Sequence, residues 1–217
     1  MQIDWDIIRE SVPLLAEGMI VTLQVSALSA VLGLALGVVL GLGALSRSRA
    51  LRLAVAAYVD FIRGTPLLIQ IFLVFFALPM LGIRFDEFWA GVVALSLNAG
   101  AFVAEVVRGG VGAIERGQAE AARAIGMRHR QILVQILLPQ AYRQMIPPLT
   151  NELISLVKNS SLLSVISVYE LTRAGQAIIS VHFVPFEIYT LLALYYYVLI
   201  KALSWLSVRL EQRLPAW

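Results

Sequence analysis

EAARAIGMRHRQILVQILLP, residues 120–139, is the long polar interruption in a chain that is otherwise very apolar. Ala119, Ala121, Ala122 and Ala124 are strong helix formers with little side-chain bulk, so residues 118–125 are expected to form a short helix slim enough to enter a groove on another protein. Gly126 supplies the permissive backbone that ends it. Ile132, Leu133, Ile136 and Leu137 then recur at the spacing of an amphipathic helix, and Pro139 is expected to mark the turn into a bilayer.

Composition explains why a bilayer is invoked. Of 217 residues, 59% are hydrophobic and 14% charged, too few charges to solvate a soluble globule of this size. A helix needs around 20 apolar residues to cross about 30 Å of hydrocarbon. No strand-like alternation is present, so an all-α integral membrane protein is expected, not a barrel. There is no cysteine, which removes disulfides and thiolate metal sites. The formal charge of +3 lends no support to nucleic-acid binding. Asp4, Asp6, Arg9 and Glu10 at the start do not resemble the basic leader of a signal peptide.

About five spans are expected after an acidic, amphipathic lead-in: residues 18–45, 53–81, 88–107, 141 into the 160s, and 186–206. Gly33, Gly37 and Gly41 repeat every fourth residue and offer a flat face for a neighbouring helix. Pro66 interrupts the second span. Residues 169–187 form a polar connector, with a short helix near the interface. Twelve of the seventeen Lys and Arg residues, from Arg47 to Arg213, fall on one side of this arrangement. Arg9, Arg84 and Arg173 fall on the other. By the positive-inside rule the amino terminus is outside, and the carboxyl terminus and the 120–139 loop are cytosolic.

The full spacing, Glu-Ala-Ala, Gly126, Ile136 and Leu138-Pro139, resembles the cytoplasmic coupling loop of ABC-importer permeases. Flanking segments narrow the likeness: Arg63-Gly64-Thr65-Pro66-Leu67-Leu68, Leu97-Asn98-Ala99-Gly100-Ala101-Phe102, Ala104-Glu105-Val106-Val107-Arg108-Gly109-Gly110 and Lys158-Asn159-Ser160-Ser161-Leu162 are similar to the polar amino-acid uptake permeases. The resemblance implies a type I permease fold, a single transmembrane domain over 1–217 with a coupling loop at about 109–139, in a bacterial cytoplasmic (inner) membrane. It implies coupling through Glu120, Ala121, Ala122 and Gly126. The implied partners are two copies of an ABC ATPase that bind ATP and Mg, a second permease subunit, identical or homologous, an extracytoplasmic solute-binding protein, and a polar amino-acid substrate.

Polar residues within the spans mark candidate chemistry. Asn98 and Glu105 are seven residues apart, nearly one direction on a helix with about 10 Å of rise between them, and Asn98 either lines a passage or hydrogen-bonds a neighbouring helix. Glu152, Ser155 and Asn159 share a stripe widened by Asn151 and Lys158. Charges inside a spanning helix cost roughly 2.5–3.5 kcal/mol on insertion scales, so this stripe is expected to line a passage. Glu105 also stands three residues before Arg108, and Asp60 three before Arg63. Each pair is either a local ion pair or part of a passage, with Asp60, Arg63 and Pro66 as a candidate gate. The family that the chain resembles often has Lys-Asp where this chain has Lys158-Asn159, a departure that weakens, without excluding, the case for a cationic substrate.

Other chemistries find little support. His129 and His182 lack metal-ligand spacing and are read as surface residues. Trp89, Trp205 and Tyr195–Tyr197 read as core or interfacial anchors. Lys158 and Lys201 are followed by Asn and Ala, so neither belongs to a phosphate-cradling P-loop. Ser160 and Ser161 have no histidine in reach for a hydrolase. A gradient-driven secondary transporter or channel is the alternative, but no inverted repeat is evident and the Glu-Ala-Ala loop would be unexplained.

Overall fold

A computed structural model describes residues 5–212; Asp4 and Arg213 lie outside the described residues. The architecture is all helical. In chain order the helices are α1 (Trp5–Ala44), α2 (Arg49–Gly64), α3 (Leu67–Phe72), α4 (Glu87–Gly112), α5 (Arg116–Ala124), α6 (His129–Gln131), α7 (Leu138–Asn159), α8 (Leu171–His182) and α9 (Pro185–Gln212).

Among the described residues, α1, α4 and α9 are long and apolar enough to cross a membrane, and α2 with the α3 segment makes a fourth if the bent pair is one span. The expected fourth span, from 141 into the 160s, corresponds to α7, which has 22 residues, but Arg143, Gln144, Asn151, Glu152 and Lys158 make its composition too polar to qualify. The lead-in and first span are one helix. At 1.5 Å per residue its 40 residues extend about 60 Å.

α4 occupies the centre. Ala90, Val92, Ala94, Leu95, Ala99 and Ala101 are almost wholly buried. Gly33, Gly37 and Gly41 of α1 lie against Ala99, Val103 and Val107 of α4. A Cβ on Gly41 would stand 2.6 Å from the Cβ of Val107, and one on Gly33 would stand 2.8 Å from that of Ala99. The glycine stripe is therefore a helix-packing surface, because only hydrogen fits between these backbones.

The expected second span does not run straight. The path bends by 108° between its two parts, at a break over Thr65 and Pro66. Proline disfavours helical backbone in the residue before it, and Thr65 is extended at φ −117°, ψ 147°. The break exposes carbonyl groups at the end of α2, and Gln70 satisfies them. Its Nε2 donates to Ile62 O at 2.7 Å, Thr65 O at 3.1 Å and Thr65 Oγ1 at 3.0 Å. Asn98 Nδ2 of α4 in turn donates to Gln70 Oε1 at 2.9 Å. Buried polar groups of this kind must be paired, and here each pairing also fixes the bend.

Two further prolines shape the backbone without breaking it. Pro79 and Pro139 lack the amide that would meet the carbonyls four residues earlier, and each ring would crowd that carbonyl. Each is preceded by a widened π-helical turn, Leu73–Ala77 and Ile132–Leu137. The residues before them, Leu78 and Leu138, donate to Leu73 O and Leu133 O, five positions back. The expected turn at Pro139 is therefore absent, and the helical path continues from α6 through the π turn into α7.

Ser160–Ile166 forms a 3-10 turn that leads to α8, the expected interfacial helix. Glu170 caps α8 and is completely buried. Its carboxylate accepts from Thr172 N at 2.9 Å, Arg173 N at 2.8 Å and Tyr196 Oη at 2.9 Å. Burial pushes the Glu170 carboxyl above its ordinary pKa, although these donors pull the other way.

Candidate functional site

Two clusters of expected site residues form. One is a polar cavity between α2, α4 and α7. The other is the α5 loop.

The cavity has a volume of about 510 Å³. α2 contributes Arg63, α4 contributes Phe102 and Glu105, and α7 contributes Gln144, Asn151, Glu152 and Ser155. Arg63 sits in the last turn of α2, where its cation complements the helix dipole. The Thr65–Pro66 break stops α2 there and leaves the guanidinium facing α4. Arg63 Nη1 lies 3.2 Å from Glu105 Oε2, and its Cζ stands 5.4 Å from the centre of the Phe102 ring. Arg108 grips the same carboxylate with both Nε and Nη2 at 2.8 Å.

Glu105 thus joins two cations. The expected local pair with Arg108 forms. The expected Asp60–Arg63 pair does not, because Arg63 reaches across to Glu105, 42 positions further along the chain. Asp60 lines a second cavity of about 1000 Å³ that shares Arg63, Phe102 and Glu105 with the first. The Arg63–Glu105 bridge therefore stands on the wall common to both cavities, whereas Pro66, the third residue of the expected gate, lines neither.

On α7, Glu152 and Ser155 face the cavity at helical spacing. Pro147 and Pro148, one turn before, remove the amides that would meet the carbonyls of Arg143 and Gln144. Ser155 Oγ donates to Asn151 O at 2.9 Å. Glu152 also borders a small apolar cleft with Leu34, Val103 and Leu149. An acid there and a cation at Arg63 give the cavity opposite charges on opposing helices.

Other expected pathway residues lie elsewhere. Asn98 is buried and belongs to the Gln70 brace; it does not line the cavity. Lys158 is exposed and Asn159 half-buried, both at the end of α7 and outside these two cavities. Sequence reasoning missed Gln70, Phe102 and Gln144. Gln70 had a signal, since it is the lone amide in the apolar run that follows Pro66.

In the second cluster, α5 spans Arg116–Ala124 and ends in a Schellman motif. Gly126 has φ +85°, its N–H donates to Arg123 O at 2.9 Å, and Met127 N–H donates to Ala122 O at 3.1 Å. α5 packs against the π turn Ile132–Leu137. Ala122 is its buried residue, whereas Glu120, Ala121 and Ala124 are exposed and Ile125 is 79% exposed. Ala122 thus seats α5 on its own chain, and the free face is carried by its neighbours. His129 is half-buried rather than a free surface residue, and its Nε2 donates to Leu45 O at 3.1 Å, tying this loop to the end of α1. His182 is exposed. Among the described residues no group of three or more His, Cys, Asp or Glu side chains could hold a metal.

Comparison with known proteins gives a consistent picture. Residues 33–215 match the family described as binding-protein-dependent transport system inner membrane component. The arginine transport system permease protein ArtQ of Bacillus subtilis is 38% identical over 217 residues, covering 100% of this chain and 99% of that protein. The glutamine transport system permease protein GlnP of Escherichia coli is 39% identical over 216 residues, covering 99% of each. The L-cystine permease protein TcyB of Bacillus subtilis is 42% identical over 177 residues, covering 81% of this chain and 76% of that protein. A solved amino acid ABC transporter with histidines superposes with a TM-score of 0.92 at 37% identity, over 99% of this chain and 100% of its own. A methionine ABC transporter, MetNI, shares the fold at a TM-score of 0.80 and 23% identity, over 94% of this chain and 97% of its own.

Proposed function

This chain belongs to the binding-protein-dependent transport system inner membrane components, and from that premise we propose that it is the membrane subunit of an ATP-driven importer of polar amino acids. It is a multi-pass inner-membrane permease subunit, and its relatives are permease subunits of transport systems. Its permease domain covers 1–217 with the coupling loop at about 109–139, its amino terminus is outside and its carboxyl terminus cytosolic.

One observation carries the ATP-coupling reading. α5 is held on one side by its own chain and capped by Gly126, while Ala121, Ala124 and Ile125 are left uncovered. An apolar, slim helix end presented to water fits a groove on a nucleotide-hydrolysing partner. Two ATPase copies holding ATP and Mg would grip two such helices, one from this chain and one from a second permease, identical or homologous. Shifting a two-state transporter from 1:99 to 99:1 requires about 5.5 kcal/mol of differential interaction, which nucleotide-driven closure of the partners supplies through α5.

The cavity supports an amino-acid substrate. Arg63 offers a cation to a carboxylate, and Glu152 offers an acid to an ammonium group across about 510 Å³. Relatives named for arginine, glutamine and cystine transport fit that class. The solute arrives from an extracytoplasmic binding protein. The amide of Asn159, at the end of α7 and outside the two cavities, weakens the case for a cationic substrate without excluding it.

Reconstitution tests the whole reading. Proteoliposomes holding the permease with its ATPase are expected to take up amino acid only with ATP and binding protein present. Replacing Ala121 or Ala124 with Trp is expected to abolish uptake and ATPase co-purification while the chain stays in the membrane. Full uptake driven by an ion gradient without the ATPase would overturn the reading in favour of a secondary transporter.

A further inference from the structure

A third cavity, of about 830 Å³, lies where α1 ends, between the 45–48 linker, the start of α2 and the loop after α5. Its lining has two characters. Val39, Leu42, Leu51 and Leu133 form an apolar wall, and Arg47, Arg128 and Arg130 supply the charge. No acidic residue lines it. Among the described residues none of these three arginines enters an ion pair, since both ion pairs found belong to Glu105.

The wall continues into a lipid-compatible surface. Leu28, Leu32, Ala35 and Val39 occupy one face of α1 at helical spacing, and all are exposed. Val39 is 67% exposed and Leu51 46%. An apolar stripe running down a spanning helix and ending in three unpaired guanidinium groups has the form of an acyl chain surmounted by an anionic headgroup. Guanidinium groups bind phosphate oxygens through paired N–H donors, and basic residues just beyond a span attract anionic lipids of the cytoplasmic leaflet.

We propose that this groove binds one anionic phospholipid, with the phosphate between Arg47, Arg128 and Arg130 and the chains along Val39 and Leu32. The position gives the lipid a role. Gly126 and Met127, which cap α5, also line the groove, and His129 holds this loop to Leu45. The headgroup thus braces the loop after α5 against the end of α1 and the start of α2. The site uses only the membrane reading, so lipid retention is measured independently of whether ATP drives transport.

The full-length chain in detergent is titrated with phosphatidylglycerol or phosphatidylcholine, and retained lipid is counted by native mass spectrometry. Wild type is expected to retain phosphatidylglycerol preferentially. The triple change Arg47→Gln, Arg128→Gln, Arg130→Gln is expected to lower that retention by on the order of a hundredfold, about fivefold per arginine. The corresponding Arg→Lys triple and Arg84→Gln, on a different linker, are expected to keep it. Equal retention by the glutamine triple and wild type would overturn the proposal. So would displacement of phosphatidylglycerol by equimolar inorganic phosphate, since the chains would then contribute nothing. A photo-reactive residue at Leu51, in native membranes, is expected to capture lipid; capture of a protein chain instead would assign the groove to a protein partner and refute the lipid site.

Discussion

Gly126→Ala is the sharpest probe of the proposed coupling loop, because the structure separates its backbone cost from any steric one. Gly126 has φ +85°, and a Cβ there would meet nothing within 4 Å. The added methyl therefore acts only through the left-handed backbone, where a side chain costs roughly 1–2 kcal/mol. That strain falls on the two cap bonds, Gly126 N–H to Arg123 O and Met127 N–H to Ala122 O. If the partner ATPase grips α5 in its capped form, a cost of about 1–2 kcal/mol lowers its affinity roughly five- to thirtyfold. Gly117, inside α5, is the control. It also has open space, but its φ lies outside the left-handed region. The same change there removes unfolded-state freedom and stabilises the helix by about 0.5–1 kcal/mol. One methyl should thus weaken ATPase binding at position 126 and preserve or strengthen it at 117, with Gly126→Asn intermediate because asparagine tolerates left-handed backbone. The assay is the dissociation constant of purified permease and ATPase, with uptake measured alongside. Unchanged affinity and uptake in Gly126→Ala, or equal losses at both positions, would refute the reasoning.

Other outcomes follow from the same geometry. Glu105→Gln removes both ion pairs from partly exposed side chains, so thermal stability should fall by less than about 1 kcal/mol, while substrate uptake, measured in proteoliposomes, drops severely. Gly37→Leu puts a side chain where Val103 already sits and should cost at least about 1–3 kcal/mol as overpacking; a melting curve of the solubilised protein reads it, and wild-type stability would contradict the packing role. Asn159→Asp should move the order of preference in uptake competition towards cationic amino acids, and an unchanged order rejects that part of the substrate reading. Because burial raises the Glu170 pKa, its stability contribution is full below the ordinary carboxylate range and lost as pH rises through the raised value. Wild type should therefore lose melting temperature over that window, and Glu170→Gln should flatten the slope.

Much of the helical plan was legible because it depends on local signals. Apolar length located α4 and α9, the glycine repeat named the face of α1 that meets α4, and Gly126 marked the end of α5. Three-dimensional partners were less accessible. Arg63 had two acids to choose from, and nothing in the spacing shows that Glu105 on α4, not Asp60 on its own helix, receives it. An amide in a span needs a reason, and spacing left Asn98 open between a passage and a neighbouring helix; its partner is the brace at the Pro66 bend. Ala122 shares the Glu-Ala-Ala signature with Ala121, yet a 100° step around the helix turns one inward and leaves the other out. The proline at 139 predicted a corner and produced a wider turn, because a helix can absorb a missing amide by letting the preceding donor reach one carbonyl further.

That wider turn at 132–137 acts as an indexing device. It holds one residue more than a regular helix would over the same advance, so everything downstream is rotated by about 100° relative to what lies upstream. Glu152 and Ser155 owe their compass bearing towards Arg63 to an event some four turns earlier, where a ring replaces a hydrogen. Excising a single residue from that interval would leave each side chain in place along the sequence and aim the acid of α7 away from the cavity.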